Sequence, residues 1–183
     1  DVIDEAQIEA AFEKVDAFGG GGLDVSLHIA GNSMFGLVES LESSEWERMW
    51  KLNVLSTIIC CRLAVARMKT SGGGAIVNMS SISAFGMGGS SSPYCATKAG
   101  LVVLTKEWAR ALAPDVRVNA IAPGAVDSDW MCRFPGLEES NSWTIPLDRI
   151  GTPTDYGEAI LFLSAGAGYV TGQTLNVDGG LTT

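Results

Sequence analysis

Positive charge is scarce in this sequence. Twelve Lys and Arg stand against 21 Asp and Glu, a formal net charge of −9 over 183 residues. Nucleic acid and anionic membrane bind clustered basic side chains, so neither is an expected partner. Long apolar runs are lacking too. The best stretch, Val54 to Met68, is broken by Arg62 and Arg67, and a spanning helix needs roughly 20 residues. Histidine occurs once, at His28, and Cys60, Cys61, Cys95 and Cys132 form neither a CxxC pair nor a Cys/His ligand pattern. No metal site is therefore expected. The cysteines read as buried or helix-surface thiols in a reducing, cytoplasmic compartment. No signal peptide is visible at Asp1, which leaves targeting unread, because the gene product need not begin there.

What is present is ordinary globular material: 46% hydrophobic and 18% charged residues, enough for one domain with a real core. The 22 glycines fall mostly in clusters between apolar runs, as tight turns do. Apolar residues at Ala6, Ile8, Ala11, Phe12 and Val15 predict a helix over 5–18, stopped by Gly19–Gly22. Residues 23–30 read as a strand and 43–69 as a long helix, with Ser43 or Ser44 as its N-cap. A strand follows at 75–80, a loop of small residues at 81–92 and a second long helix at 93–113, with Pro93 in its first turn. A strand at 116–121 ends at Pro123-Gly124. Beyond a loop over 124–152 come a helix at 154–165 and a strand at 173–177. Alternating strands and helices predict an α/β fold with a parallel, doubly wound sheet, in a single domain.

The sharpest chemical signal is Tyr94-Cys95-Ala96-Thr97-Lys98. Four residues apart on a helix, Tyr94 and Lys98 share a face. An ammonium near a phenol favours the phenolate and lowers its pKa, making a tunable proton donor and acceptor. Alone, a YxxxK pair is weak. Ser81, however, ends a predicted strand before it, and Asn53 sits inside a helix where Asn is disfavoured. The strand ends carry Ala30-Gly31, Ser80-Ser81 and Pro123-Gly124, and ligands of open α/β sheets bind beyond the carboxyl ends of the strands.

Together these residues resemble the shorter, single-domain branch of the short-chain dehydrogenase/reductase family. The family's NNAG strand end appears as His28-Ile29-Ala30-Gly31, its helix Asn as Asn53, its Ser as Ser81, its YxxxK as Tyr94 and Lys98, and its PG turn as Pro123-Gly124-Ala125-Val126-Asp127-Ser128. Its closing segment appears as Tyr169-Val170-Thr171-Gly172-Gln173 and Val177-Asp178-Gly179-Gly180. The resemblance implies a Rossmann-type fold and an NAD- or NADP-dependent oxidoreductase acting on a carbonyl or secondary alcohol. It implies that Tyr94 exchanges the proton, Lys98 lowers the tyrosine pKa and holds the nicotinamide ribose, Ser81 bonds the substrate oxygen, and Asn53 steadies a relay water. Cofactor contacts are implied at Asp1, Val2, Ile29, Ala30, Gly31, Pro123, Gly124, Val126 and Ser128. It also implies a homotetramer or homodimer paired through helices 43–69 and 93–113.

Three departures stand out. The family opens with a strand and a TGxxxGxG turn, and no such turn precedes Asp1; Gly19–Gly22 lies after a helix and before a strand, the wrong order. The expectation is a domain N-terminally incomplete by two βα units, on the order of 60 residues, with the 23–30 strand left as an open edge. The choice between NAD and NADP has no counterpart here, since its deciding charge ends the family's second strand. Second, HIAG replaces NNAG; His28 can replace one asparagine bond and Ile29 cannot, and a structural role for His28 is preferred over a catalytic one. Third, Ser128 stands for the usual Thr and keeps the hydroxyl. Candidate substrate-pocket residues are Ser83, Phe85, Met87, Trp130, Met131, Phe134 and Trp143, which suit an apolar ligand or simply pack a lid, with Arg133 as a candidate for an acidic group. Two other readings compete: a catalytically inactive scaffold of the same fold, and a halohydrin-dehalogenase-like lyase, which Lys98 and the Pro123-Gly124 turn disfavour.

Overall fold

The computed structural model describes residues 1–86, 90–129 and 144–183. Four parallel strands, β1 (Val25–His28), β2 (Gly74–Met79), β3 (Val116–Pro123) and β4 (Thr174–Val177), form one sheet in the order β1-β2-β3-β4. Their alternating side chains build two cores. On one face Ile76 and Val118 meet Cys61, Ala64, Met68 and Ala109 from α3 (Ser56–Thr70) and α4 (Ser92–Leu112), with Phe12 of α1 (Glu5–Gly19) beside them. On the other, Val77 and Ile121 meet Tyr156 and Leu163 from α5 (Pro153–Leu161) and the turn after it. Helices thus cover both faces, as the doubly wound expectation requires.

β1 is an edge among the described residues, pairing only with β2. Leu27 is 45% exposed and Ile29 48%, so neither the free edge nor the outward face of β1 is covered by the described residues.

The long helix differs from its expected form in three ways. Its cap is neither Ser43 nor Ser44: Glu42 precedes α2 (Ser43–Trp50), and its backbone N–H donates to the Glu45 carboxylate at 2.8 Å. A π turn over Lys51–Leu55 joins α2 to α3, with the Ser56 N–H bonding the Lys51 carbonyl. Hydroxyls one turn on satisfy two of its carbonyls, Ser56 Oγ donating to Leu52 at 2.5 Å and Thr57 Oγ1 to Asn53 at 3.0 Å. Finally, the continuous Ser43–Thr70 helix is, by length and composition, long and apolar enough to cross a membrane, because Arg62 and Arg67 are too few to lower its average. Both arginines bind α1, Arg62 pairing with Glu5 at 2.6 Å and Arg67 holding both oxygens of Asp16. The opposite face of α3 packs on the sheet.

Arg117 closes the other end. Its guanidinium donates to the carbonyls of Leu163 at 2.8 Å and Ser164 at 2.7 Å, placing a cation at the carbonyl end of α5 and its extension. Buried Asn119 holds the Thr171-Gly172-Gln173 segment, donating to the Val170 carbonyl at 2.9 Å and accepting from Gln173 N–H at 3.0 Å.

Candidate active site

The carboxyl ends of the four strands deliver the chemistry-bearing positions: Ile29-Ala30-Gly31 after β1, Ser80-Ser81 after β2, Pro123-Gly124 at the end of β3 and Asp178-Gly179-Gly180 after β4. Helix α4 begins beside them. Pro93 suits its first turn, having no N–H to leave unpaired, and puts Tyr94 one turn before Lys98.

Lys98 is 3% exposed. Its Nζ donates to the Met79 carbonyl at 2.8 Å and lies 5.6 Å from the centre of the Tyr94 ring. Ser80 Oγ holds the other end of the same residue, donating to the Lys98 carbonyl at 2.9 Å. Burial pushes the ammonium down to about 8. Burial likewise raises the Tyr94 phenol above its usual range, and the neighbouring Ser81 hydroxyl pulls in the opposite direction. With the cation anchored on Met79, desolvation of the phenolate sets the direction of the Tyr94 shift.

Asn53 lies in the π turn and is buried. Its Oδ1 accepts from the Asn32 N–H at 3.0 Å, and its Nδ2 donates to the Asn32 carbonyl at 3.0 Å and to Thr97 Oγ1 at 3.1 Å. Thr97 Oγ1 in turn donates to the Tyr94 carbonyl at 2.7 Å. The Asn53 side chain therefore ties the loop after β1 to α4; it is committed to protein groups.

His28 is structural in this geometry. Its Nδ1–H donates to Asn78 Oδ1 at 2.9 Å, the Ser26 hydroxyl donates to its Nε2 at 3.0 Å, and Asn78 Nδ2 donates to Thr105 Oγ1 at 2.9 Å. The tautomer follows from this network. Desolvation lowers the imidazole to about 4 despite the Asn78 bond.

At the far strand ends, a Cβ on Gly124 would meet the Asp178 Cβ at 2.9 Å and its Cα at 3.0 Å. The turn after β3 and the Asp178 turn therefore pack backbone to backbone. Asp178 shapes its own turn by accepting from Gly180 N–H at 2.9 Å and Thr182 Oγ1 at 2.6 Å. Val126 bridges Gly151, and Ser128 follows on the same segment.

Three features fit a nicotinamide nucleotide. Gly31 leaves a cradle that a Cβ would fill, 2.9 Å from Asn53 Oδ1 and 3.3 Å from Lys98 Nζ. Lys98 brings three N–H donors, suited to ribose hydroxyls, and Met79 takes one. The Val126 N–H has no partner among the described residues and can serve a carboxamide oxygen. Of the sequence-predicted positions, Gly31, Asn53, Ser81, Tyr94 and Lys98 are brought into one cluster, and Pro123, Gly124, Val126 and Ser128 into a second segment at the same end of the sheet. Ile29 and Ala30 adjoin the cluster on the surface. Among the described residues, Asp1 hydrogen-bonds Ile3, Asp4 and Gln7 at the start of α1. Ser83 is buried and Phe85 half-exposed; Met87, Trp130, Met131, Arg133, Phe134 and Trp143 lie outside the described residues. Sequence reasoning missed Asn32, Thr97, Met79 and Tyr156. Met79 and Asn32 act through backbone groups, which no side-chain pattern announces.

A family model described as enoyl-(acyl carrier protein) reductase matches residues 1–182. A 3-oxoacyl-(acyl-carrier-protein) reductase of Staphylococcus aureus is 37% identical over 185 residues, spanning 98% of this chain and 74% of that protein. An inactive 2-(S)-hydroxypropyl-CoM dehydrogenase 2 of Xanthobacter autotrophicus is 37% identical over 191 residues, spanning 100% of this chain and 83% of that protein. Among solved structures, a 7α-hydroxysteroid dehydrogenase complexed with NADH and 7-oxo glycochenodeoxycholic acid superimposes with a TM-score of 0.90 at 28% identity, over 98% of this chain and 71% of that one. With its parallel sheet, its Tyr94/Lys98 helix and these matches, the chain belongs to the short-chain dehydrogenase/reductase family of NAD- or NADP-dependent oxidoreductases.

Proposed function

We propose that Tyr94 is the proton donor and acceptor in the interconversion of a ketone or aldehyde and its alcohol. The observation that carries this reading is the convergence of Tyr94, Ser81 and Lys98 at the carboxyl end of β2, with Lys98 buried and anchored on Met79. The bound nicotinamide supplies or accepts the hydride at the carbonyl carbon. In the reducing direction Ser81 holds the carbonyl oxygen and the Tyr94 hydroxyl delivers its proton there, leaving a phenolate. Lys98 stabilises that phenolate electrostatically and donates to the ribose hydroxyls. Asn53 is a positioning residue, holding Asn32 and Thr97 around the cluster. Val126 N–H and the Ser128 hydroxyl hold the carboxamide.

Residues 1–183 act as one Rossmann-type domain. The exposed apolar residues Trp46 and Trp50 of α2, Leu55 of the π turn and Val103 of α4 support pairing of two or four copies through these helices. The free thiols at Cys60, Cys61 and Cys95 suit the cytoplasm.

The test is a titration of the purified chain with NADH and NADPH, followed by nicotinamide fluorescence, with Tyr94→Phe alongside and a screen of ketones and secondary alcohols. Binding by both proteins and turnover by the parent alone support the reading. Binding without turnover on any carbonyl would favour the inactive scaffold, a reading that the inactive Xanthobacter relative keeps in view.

A further inference from the structure

The carbonyl of Ala125 accepts two hydrogen bonds, from the Tyr156 hydroxyl at 2.8 Å and from the Gly151 N–H at 3.1 Å. Both of its lone pairs are used. In a planar trans peptide the carbonyl and the next N–H point in opposite directions. Fixing the Ala125 carbonyl toward α5 therefore fixes the Val126 N–H away from α5, and that N–H has no partner among the described residues.

The arrangement around Tyr156 is built to hold this plane. The ring is buried with Val77, Ile121 and Leu163, so the hydroxyl has a rigid base. A Cβ on Gly151 would meet the Tyr156 hydroxyl oxygen at 2.5 Å; only glycine lets the phenol pass through to Ala125. Gly151 then takes the Asp127 N–H on its own carbonyl at 2.8 Å. The first turn of α5 is locked from outside: Asp155 accepts both Arg149 nitrogens at 2.7 and 2.8 Å and the Thr152 N–H and hydroxyl, each at 2.7 Å.

We infer that Tyr156 is a positioning residue for the cofactor, its hydroxyl orienting the Ala125–Val126 peptide so that the Val126 N–H faces the carboxamide. This rests on the reading that the 124–128 segment holds the carboxamide. Tyr156 acts through the peptide and has no contact with the reacting atoms.

Tyr156→Phe removes the hydroxyl and leaves the ring in place. Leu163→Val is the control, loosening the same core without touching Ala125. Amide hydrogen exchange without cofactor is read at Asp127 and Gly151, and dissociation constants are measured for NADH, NADPH and ADP-ribose, which lacks the nicotinamide. Tyr156→Phe is expected to speed exchange at those two amides relative to β2 amides. It should also weaken NADH or NADPH binding roughly fivefold, the worth of one net hydrogen bond, with ADP-ribose unchanged. Leu163→Val should do neither. If Tyr156→Phe weakens ADP-ribose equally, or only matches Leu163→Val, Tyr156 is a core residue and the inference fails. If Ser128→Ala selectively weakens the dinucleotide and Tyr156→Phe does not, the segment holds the carboxamide without the tyrosine, and only this inference fails. If neither variant separates dinucleotide from ADP-ribose, or the parent binds no nucleotide, the reading of the segment fails and the inference with it.

Discussion

Lys98 and Met79 are joined by a buried hydrogen bond, the ammonium donating to the carbonyl oxygen across 2.8 Å. That carbonyl ends β2, so the sheet itself fixes where the cation sits. The position is costly, since a buried cation gives up its hydration.

The cost has a pH signature. Burial holds the Lys98 ammonium at about 8 in the folded chain, against the 10.5 of an exposed lysine. Between these values the unfolded chain binds more protons, so this group's contribution makes stability rise with pH from about 8 to 10.5. Lys98→Met should melt at or above the parent at pH 7, by up to about 2 kcal/mol, although it leaves the Met79 carbonyl without its bond. That margin should shrink toward pH 10, while turnover falls about a hundredfold or more. Thermal melts at pH 7 and 9.5 check the sign; a margin that does not change with pH would remove Lys98 as the titrating group.

Tyr94 predicts an asymmetry between the two directions of reaction. Burial, opposed by Ser81, keeps the phenol protonated beyond its ordinary range. Carbonyl reduction should therefore hold steady through neutral pH, and alcohol oxidation should climb into the alkaline range. Tyr94→Phe should abolish the climb and leave cofactor binding in place. Initial rates in both directions from pH 6 to 10.5 measure this.

Gly31→Ala and Gly157→Ala should have opposite effects. A methyl at Gly31 meets Asn53 Oδ1 and Lys98 Nζ, both held by other bonds, whereas nothing lies within 4 Å of a methyl at Gly157. Gly31→Ala should cut turnover about tenfold or more by displacing the cluster. Gly157→Ala, inside α5, should raise stability by about 0.5–1 kcal/mol with turnover unchanged. Melting curves and kcat of the two variants decide it.

His28 predicts an acid limb. Its folded pKa lies near 4 against 6.5 unperturbed, so its contribution is fully present above pH 6.5 and is lost as pH falls toward 4. The loss amounts to roughly 3 kcal/mol. His28→Gln should flatten that limb while costing stability at pH 7. Urea midpoints at pH 7, 5.5 and 4.5 provide the measure.

The sheet and its order of helices were legible because periodicity and Gly-rich breaks report burial and turns directly. Tyr94, Lys98, Ser81 and Asn53 were legible because their types and spacing are unusual. The π turn was not: Lys51–Leu55 carries no break in apolar pattern, and the feature exists only as a shift in hydrogen bonding that Ser56 and Thr57 then repair. The direction of the Tyr94 shift was also hidden, since spacing places Lys98 on the right face but does not report how deeply the phenol is buried. Tyr156 escaped for a similar reason, its partner being a main-chain carbonyl 31 residues away.

The π turn sets a limit on how far the long helix can be idealised. It holds one residue more than a regular turn, so removing one residue between Lys51 and Leu55 would let the helix run on with uniform bonding. Every side chain on one flank would then swing by about 100° relative to the other. Either Asn53 would leave Asn32 and Thr97, or Cys61, Ala64 and Met68 would leave the sheet. The irregularity acts as a phase adjuster, letting a single rod serve two partners whose directions a uniform helix could not match.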